Sequence, residues 1–274
     1  MGLLFAAPSL AGVGLLILVP FADVIRRSFF ESIGGGFVGL RNYAAVLQSD
    51  AFRLAAANTL KFVAICIPLL VLLSLLLAVL VYSLKRGQDL LKAGFLLPMA
   101  VPAASVVLIW KLFFHENGLL NGLVLSLGGT PVDYMHTQAA FWVLIVSYLW
   151  RNLGYDMILW MAGLSGIPAA LYEAASLDGA GRATMFFRIT LPNLTTVLFT
   201  IFVLSLLNSF KVFREAYLVA GEYPHTSMYL LQHLFNNWFL SLDVDKLCAG
   251  AVLTAAVIFV LILLLHKAWG ETYE

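Results

Sequence analysis

The sequence predicts an all-α, polytopic membrane protein with six transmembrane helices. Mean hydropathy is +0.94. Only 11% of the 274 residues are charged and 62% are hydrophobic, whereas a soluble domain of this length holds about 25% charged residues. The apolar residues also gather into runs approaching the ~20 residues that cross about 30 Å of hydrocarbon.

Four runs satisfy that length without a charge: 3–22, 62–82, 93–110 and 247–265. The first has no basic residues ahead of it, which predicts a spanning helix rather than a cleaved leader. Residues 23–61 follow as a long connection, with Gly34, Gly35 and Gly36 as a flexible turn and 42–58 spaced like a short surface helix. A tight basic turn, SLKRGQDLLK, joins the second run to the third. Pro98 and Pro102 remove backbone donors within that third run, so it is expected to kink or unwind.

Two further spans need argument. Residues 139–163 qualify only if Arg151 and Asp156 are tolerated at membrane depth, and 194–210 is short but uncharged. Accepting both gives six spans in one transmembrane domain over 1–274, without repeats or low-complexity segments. Even span number puts both termini on one side. If that side is the cytoplasm, it carries Lys85, Arg86, Lys92, Arg182, Arg188 and Lys267. Basic residues are then denser inside than outside, although fewer in total.

Several functions are excluded or unsupported. The net charge of +1 and singly scattered cations leave no basic face for nucleic acid. Cys66 and Cys248 lie in apolar runs and build no disulfide framework. No phosphate-binding G-x-x-x-x-G-K-[ST] loop or G-x-S-x-G elbow occurs, and His115, His136, His225, His233 and His266 have no metal-ligand spacing. No catalytic or metal-binding residue is therefore assigned, and a membrane enzyme ranks last. Arg151 and Asp156 stand five apart, a poor offset for mutual pairing. With Trp150 just ahead, Arg151 reads as an interfacial arginine near the outer leaflet or a structural contact with another helix, or the two charges form an ion relay.

Between the fourth and fifth spans lies EAASLDGAGRATMFFRITLP, residues 173–192. Pro168 suits a first helical position, the alanines favour helix, and Gly179 supplies the left-handed residue that ends it, which predicts a helix over 168–178. A second short run follows Gly181 and is limited by Pro192. So short a helix is marginal in water and needs packing against something. On these residues alone, a solvated turn and a docking handle for a soluble partner remain open.

The pattern of Glu173, Ala174, Ala175, Asp178, Gly179, Ala180, Phe186, Ile189, Leu191 and Pro192 resembles the signature loop of permease subunits of binding-protein-dependent ABC importers. Phe37, Gly39, Leu40, Asn42, Tyr43, Asn58 and Thr59 are similar to the carbohydrate-uptake, maltose-transporter-like branch. Thr195 departs from a proline often found there. The resemblance implies the type I permease fold, with 164–192 cytoplasmic and 168–178 as the coupling helix seated on an ATPase. Glu173, Ala174, Ala175, Asp178, Gly179, Ala180 and Pro192 would carry that coupling. It implies a second, related permease as heterodimer partner, two ATPase subunits that bind ATP and Mg, and an extracytoplasmic solute-binding protein. No cofactor is expected in this chain itself. The location implied is the bacterial cytoplasmic (inner) membrane, with both termini cytoplasmic.

A solute path needs polar groups at membrane depth. Asn152 and Tyr155 on the fourth span and Ser205, Asn208 and Ser209 on the fifth are the candidates, with Trp150 and Phe210 as aromatic faces. Taken singly, Ser and Asn also serve to hold helices together. A sugar or oligosaccharide fits such groups. A carboxylate or phosphate fits less well, because Arg151 is the only cation within these spans. The residues 209–246 are expected to face the solute-binding protein. The competing readings are an importer of another solute, such as a phosphorylated polyol, and an ion-coupled secondary transporter.

Overall fold

The computed structural model describes residues 2–84 and 86–270, with side chains from 6 to 267. Lys85, counted above among the inside-facing cations, and residues 1 and 271–274 lie outside the described residues. Among the described residues the fold is helical, apart from one isolated bridge between Phe30 and Phe37. Four helices are each long and apolar enough to cross a bilayer: Ala6–Arg27, Asp50–Tyr82, Thr195–Ala220 and Val244–Lys267. Two bent pairs complete the possible six, Gln88–Ala100 with Ala103–Ser126 at 94° and Ala139–Ser165 with Ala169–Leu177 at 66°.

Proline sets the irregularities. The third span breaks at Val101 and Pro102, where Pro102 caps the next helix and Pro98 remains inside the preceding one. Elsewhere a five-residue π turn ends two positions before a proline, Gly14–Leu18 before Pro20 and Phe186–Thr190 before Pro192. Each proline lacks the N–H that would meet the carbonyl four residues back, and its ring crowds that carbonyl. The wider turn takes up the mismatch.

Three boundaries differ from the sequence reading. Residues 42–58 do not form one surface helix: Arg41–Gln48 is separate, and a new helix begins at Asp50 and continues to Tyr82. The first span runs to Arg27, and Asp23 accepts from both Arg26 and Arg27 in that last turn. The fifth span does not stop at 210. It passes through a tight 3-10 turn, Phe210–Val212, and continues as Phe213–Ala220.

The chain divides into two compact units, 1–56 with 230–263 and 57–229 with 264–274. In the first, Asn42 donates to the carbonyls of Ser28 and Phe30 at 3.1 and 3.0 Å, and the Tyr43 hydroxyl meets Ser28 Oγ at 2.6 Å. These contacts clip the first long connection onto the end of the first span. Gly250 packs so tightly that an added Cβ would lie 2.9 Å from Trp238 and 3.0 Å from Phe235.

In the second unit, Ala78, Val81, Met157, Trp160, Met161, Leu164, Leu194 and Ile201 form a buried cluster. Trp160 Nε1 donates to Ser74 Oγ at 3.0 Å, which satisfies both groups away from water. Lipid is as apolar as leucine, so helix association here depends on close contact and hydrogen bonds. Gly154 provides such contact: a Cβ on it would lie 2.0 Å from the Phe95 carbonyl oxygen. Gly163 does the same opposite Leu194 and Val197. Gly154 therefore admits a neighbouring helix, while its own helix runs unbroken from Ala139 to Ser165.

Candidate functional site

Two parts of the second unit carry the candidate residues. The first is the hairpin between the fourth and fifth spans. Its helix is Ala169–Leu177, with Pro168 as N-cap rather than first helical residue and Asp178 as C-cap. Gly179 has φ +78°, its N–H donates to the Ser176 carbonyl at 3.1 Å, and the Ala180 N–H reaches back to Ala175 at 2.9 Å. This paired arrangement is a Schellman close, and it requires the left-handed conformation that glycine adopts without strain.

No side chain of this helix is buried. Glu173, Ala174 and Asp178 are exposed, Ala175 and Ala180 half-buried, and Leu177 is 90% exposed. The helix is held from one side, where the Tyr172 hydroxyl meets Thr190 Oγ1 at 2.8 Å. Pro192 lies in the returning helix, just beyond the π turn. A nine-residue helix has little stability of its own. Here a glycine turn, the Tyr172 contact and a Ser176 hydroxyl 3.9 Å from Met185 Sδ hold it with most of its residues exposed.

The second part is a cavity of about 220 Å³ lined by Met99, Ser147, Tyr148, Arg151, Asn152, Asn208, Lys211, Val212, Arg214 and Glu215. Ser147, Tyr148, Arg151 and Asn152 form one face of the fourth span, and 208, 211, 212 and 215 fall on one face of the fifth. Met99 contributes from the turn just before the break in the third span.

Of the path residues expected from sequence, the structure brings Asn152 and Asn208 to this cavity and leaves Tyr155, Ser205 and Ser209 outside its lining. Ser205 is buried and committed elsewhere. Its Oγ donates to Asp156 Oδ2 at 2.9 Å, and its carbonyl accepts from the Tyr148 hydroxyl at 2.7 Å. Ser209 donates to the Leu206 carbonyl within its own helix. These two serines act as helix-holding groups. Tyr155 is half-buried and away from the cavity. Trp150 packs edge-on against Trp110.

The charges of the fourth span take separate partners. Arg151 Nη1 pairs with Glu215, whereas Asp156 faces Ser205. Sequence reasoning misses Lys211, Arg214 and Glu215, because FKVFREAY reads as a loop, and passes over Tyr148 within the fourth span. The i, i+3, i+7 recurrence of Asn208, Lys211 and Glu215 is the signal that continues the helix.

Chemically, the cavity offers amides and a guanidinium–carboxylate pair, groups that hydrogen-bond hydroxyls. Among the described residues no group of His, Cys, Asp and Glu could hold a metal ion.

Comparison with known proteins matches residues 43–271 to the family described as binding-protein-dependent transport system inner membrane component. The trehalose/maltose transport system permease protein MalF of Thermococcus litoralis is 31% identical over 269 residues, covering 96% of this chain and 90% of that protein. The arabinooligosaccharides transport system permease protein AraP of Bacillus subtilis is 34% identical over 224 residues, covering 79% of this chain and 71% of that protein. A crystal structure of a bacterial ABC transporter that imports the acidic polysaccharide alginate superposes with a TM-score of 0.86 at 22% identity, covering 99% of this chain and 96% of that one, a likeness of fold.

Proposed function

The chain belongs to the family of binding-protein-dependent transport system inner membrane components, and on that premise we propose that it is the transmembrane permease subunit of an ATP-driven importer. It passes a sugar or oligosaccharide delivered by a solute-binding protein. The observation that carries this reading is the helix Ala169–Leu177, offered without buried side chains and closed by Gly179. Glu173 gives it a charge for a basic partner, and Ala174 and Ala175 allow close backbone approach.

The partners of the reading are a second permease, two ATPase subunits that bind the ATP and Mg, and an extracytoplasmic binding protein. The chain itself carries no nucleotide and does no covalent chemistry. It lies in the cytoplasmic membrane with both termini and the hairpin on the inner side.

Movement of the hairpin has a defined route. Tyr172 ties the docking helix to Thr190, and the chain continues through Pro192 into the fifth span, which lines the cavity with Asn208, Lys211 and Glu215. A partner that shifts 169–177 therefore shifts the cavity wall against the fourth span. The contacts that must slide or hold are Tyr148 to Ser205, Ser205 to Asp156 and Arg151 to Glu215. Two arrangements of these contacts are what alternating access requires.

The test is transport by the assembled complex in vesicles. Uptake is expected to need ATP on the hairpin side and binding protein on the other. Solute moved on an ion gradient by this chain alone, without ATPase subunits, would overturn the reading in favour of an Arg151 and Asp156 relay.

A further inference from the structure

The cavity between the fourth and fifth spans holds more positive charge than a neutral sugar uses. Arg151, Lys211 and Arg214 line it against one carboxylate, Glu215. Glu215 is committed to Arg151. Lys211 donates to the neutral Oδ1 of Asn208 at 2.7 Å. Among the described residues, neither Lys211 nor Arg214 has a carboxylate at ion-pair distance. Asp156, the other acid of the fourth span, is buried against Ser205 and does not line the cavity.

Lys211 and Arg214 stand three apart on one helix, where like charges repel. Both side chains are exposed and border the cleft beside the buried Glu215, so their like charge draws an anion toward its mouth. A neutral solute leaves that repulsion in place, while an anionic group relieves it and gains charge-assisted hydrogen bonds. The sequence placed only Arg151 within a span. Continuation of the fifth helix through 211–215 supplies the other two cations.

We propose that the solute of this cavity is an acidic carbohydrate, its carboxylate, sulfonate or phosphate held by Lys211 and Arg214 while its hydroxyls meet Asn152 and Asn208. Arg214 offers a planar fork suited to an oxyanion, and Lys211 a point charge beside it. This inference rests on the reading of the chain as a sugar-importer permease.

The experiment uses the complete importer with its binding protein in proteoliposomes. The vesicles meet a mixture of digalacturonate, its uncharged counterpart galactobiose, a sulfosugar and a hexose phosphate, and the lumen is analysed by mass spectrometry. At least one acidic species is expected to accumulate over galactobiose, and its identity distinguishes carboxylate from sulfonate and phosphate. Lys211→Gln with Arg214→Gln should lower the ratio of acidic to neutral uptake roughly ten- to hundred-fold, the range for losing a charged hydrogen bond. Lys211→Arg with Arg214→Lys should restore it, which a merely structural role would not require. If only galactobiose enters, or the Gln variants leave the ratio unchanged, the acidic assignment fails and the importer reading stands. If nothing enters with ATP and binding protein, both fail.

Discussion

Arg151 in the middle of the fourth span is paired with Glu215 on the continuation of the fifth, and the pair joins the two faces of the cavity between them. Glu215 is buried, while a quarter of the Arg151 side chain is exposed. Removing the carboxylate strands a cation in apolar surroundings, and removing the cation strands a carboxylate that is more deeply enclosed. Breaking a fully buried pair costs about 3–5 kcal/mol. With Arg151 partly open, Glu215→Gln and Arg151→Gln are each expected to cost about 1–3 kcal/mol. The double variant Arg151→Gln with Glu215→Gln should recover much of that loss, a coupling read from thermal unfolding in a double-mutant cycle. Zero coupling would show that the two side chains act independently.

Gly154 predicts a large effect from one methyl group. A Cβ there would lie 2.0 Å from the Phe95 carbonyl oxygen and 2.4 Å from its carbon, which are backbone atoms that cannot rotate away. Gly154→Ala must push the third span off the fourth and is expected to cost about 1–3 kcal/mol or more. Gly122 lies in the helix Leu119–Ser126 with open space around it. Gly122→Ala should be neutral or gain up to about 1 kcal/mol. Melting temperatures of the two variants in one detergent decide the matter: equal values would mean the spans do not approach as closely as described.

The features legible in the sequence were those written locally. Hydropathy marks the long apolar helices, Pro102 marks the break in the third span, and Gly179 marks the end of the helix Ala169–Leu177, because each depends on a residue's own backbone or its immediate neighbours. The partner of Arg151 was not legible, because apolar content stops at Phe210 although the helix does not. The residues 213–220 stay helical by packing against Ala103–Phe114, a tertiary contact that no composition window contains. The fates of Ser205 and Ser209 were hidden for the same reason: a hydroxyl that lines a cavity and one that holds a helix look alike until its acceptor is known.

His233 predicts an acid limb in the stability curve. It is buried in the helix Leu231–Leu240, and the Leu230 N–H donates to its Nδ1 at 3.3 Å. Burial pushes the imidazole from its ordinary 6.5 down to about 4. Between these values the unfolded chain binds a proton that the folded chain refuses. Its contribution to stability is intact above pH 6.5 and is lost as pH falls toward about 4, by a few kcal/mol at most. His233→Gln, which stays neutral, should flatten the fall in melting temperature across that window. An unchanged slope would place the titration on another group.

Gly179 separates folding from coupling. Its φ of +78° is adopted with nothing within 4 Å of an added Cβ, so a side chain there meets no neighbour and strains only the backbone. The cost to Gly179→Leu is about 1–2 kcal/mol, small enough for the spans to remain folded. The bonds from Gly179 to Ser176 and from Ala180 to Ala175 hold the docking helix at a fixed angle to the returning chain, and both depend on that φ. On the proposed reading, loss of the angle misdirects the helix, so binding-protein-stimulated ATP hydrolysis and uptake should fall together while helical content is kept. Gly181, two residues on, has φ −71° and open space. Gly181→Ala should therefore transport normally, which controls for bulk in the hairpin. Wild-type coupling in Gly179→Leu would mean that the ATPase grips the hairpin regardless of how its helix ends.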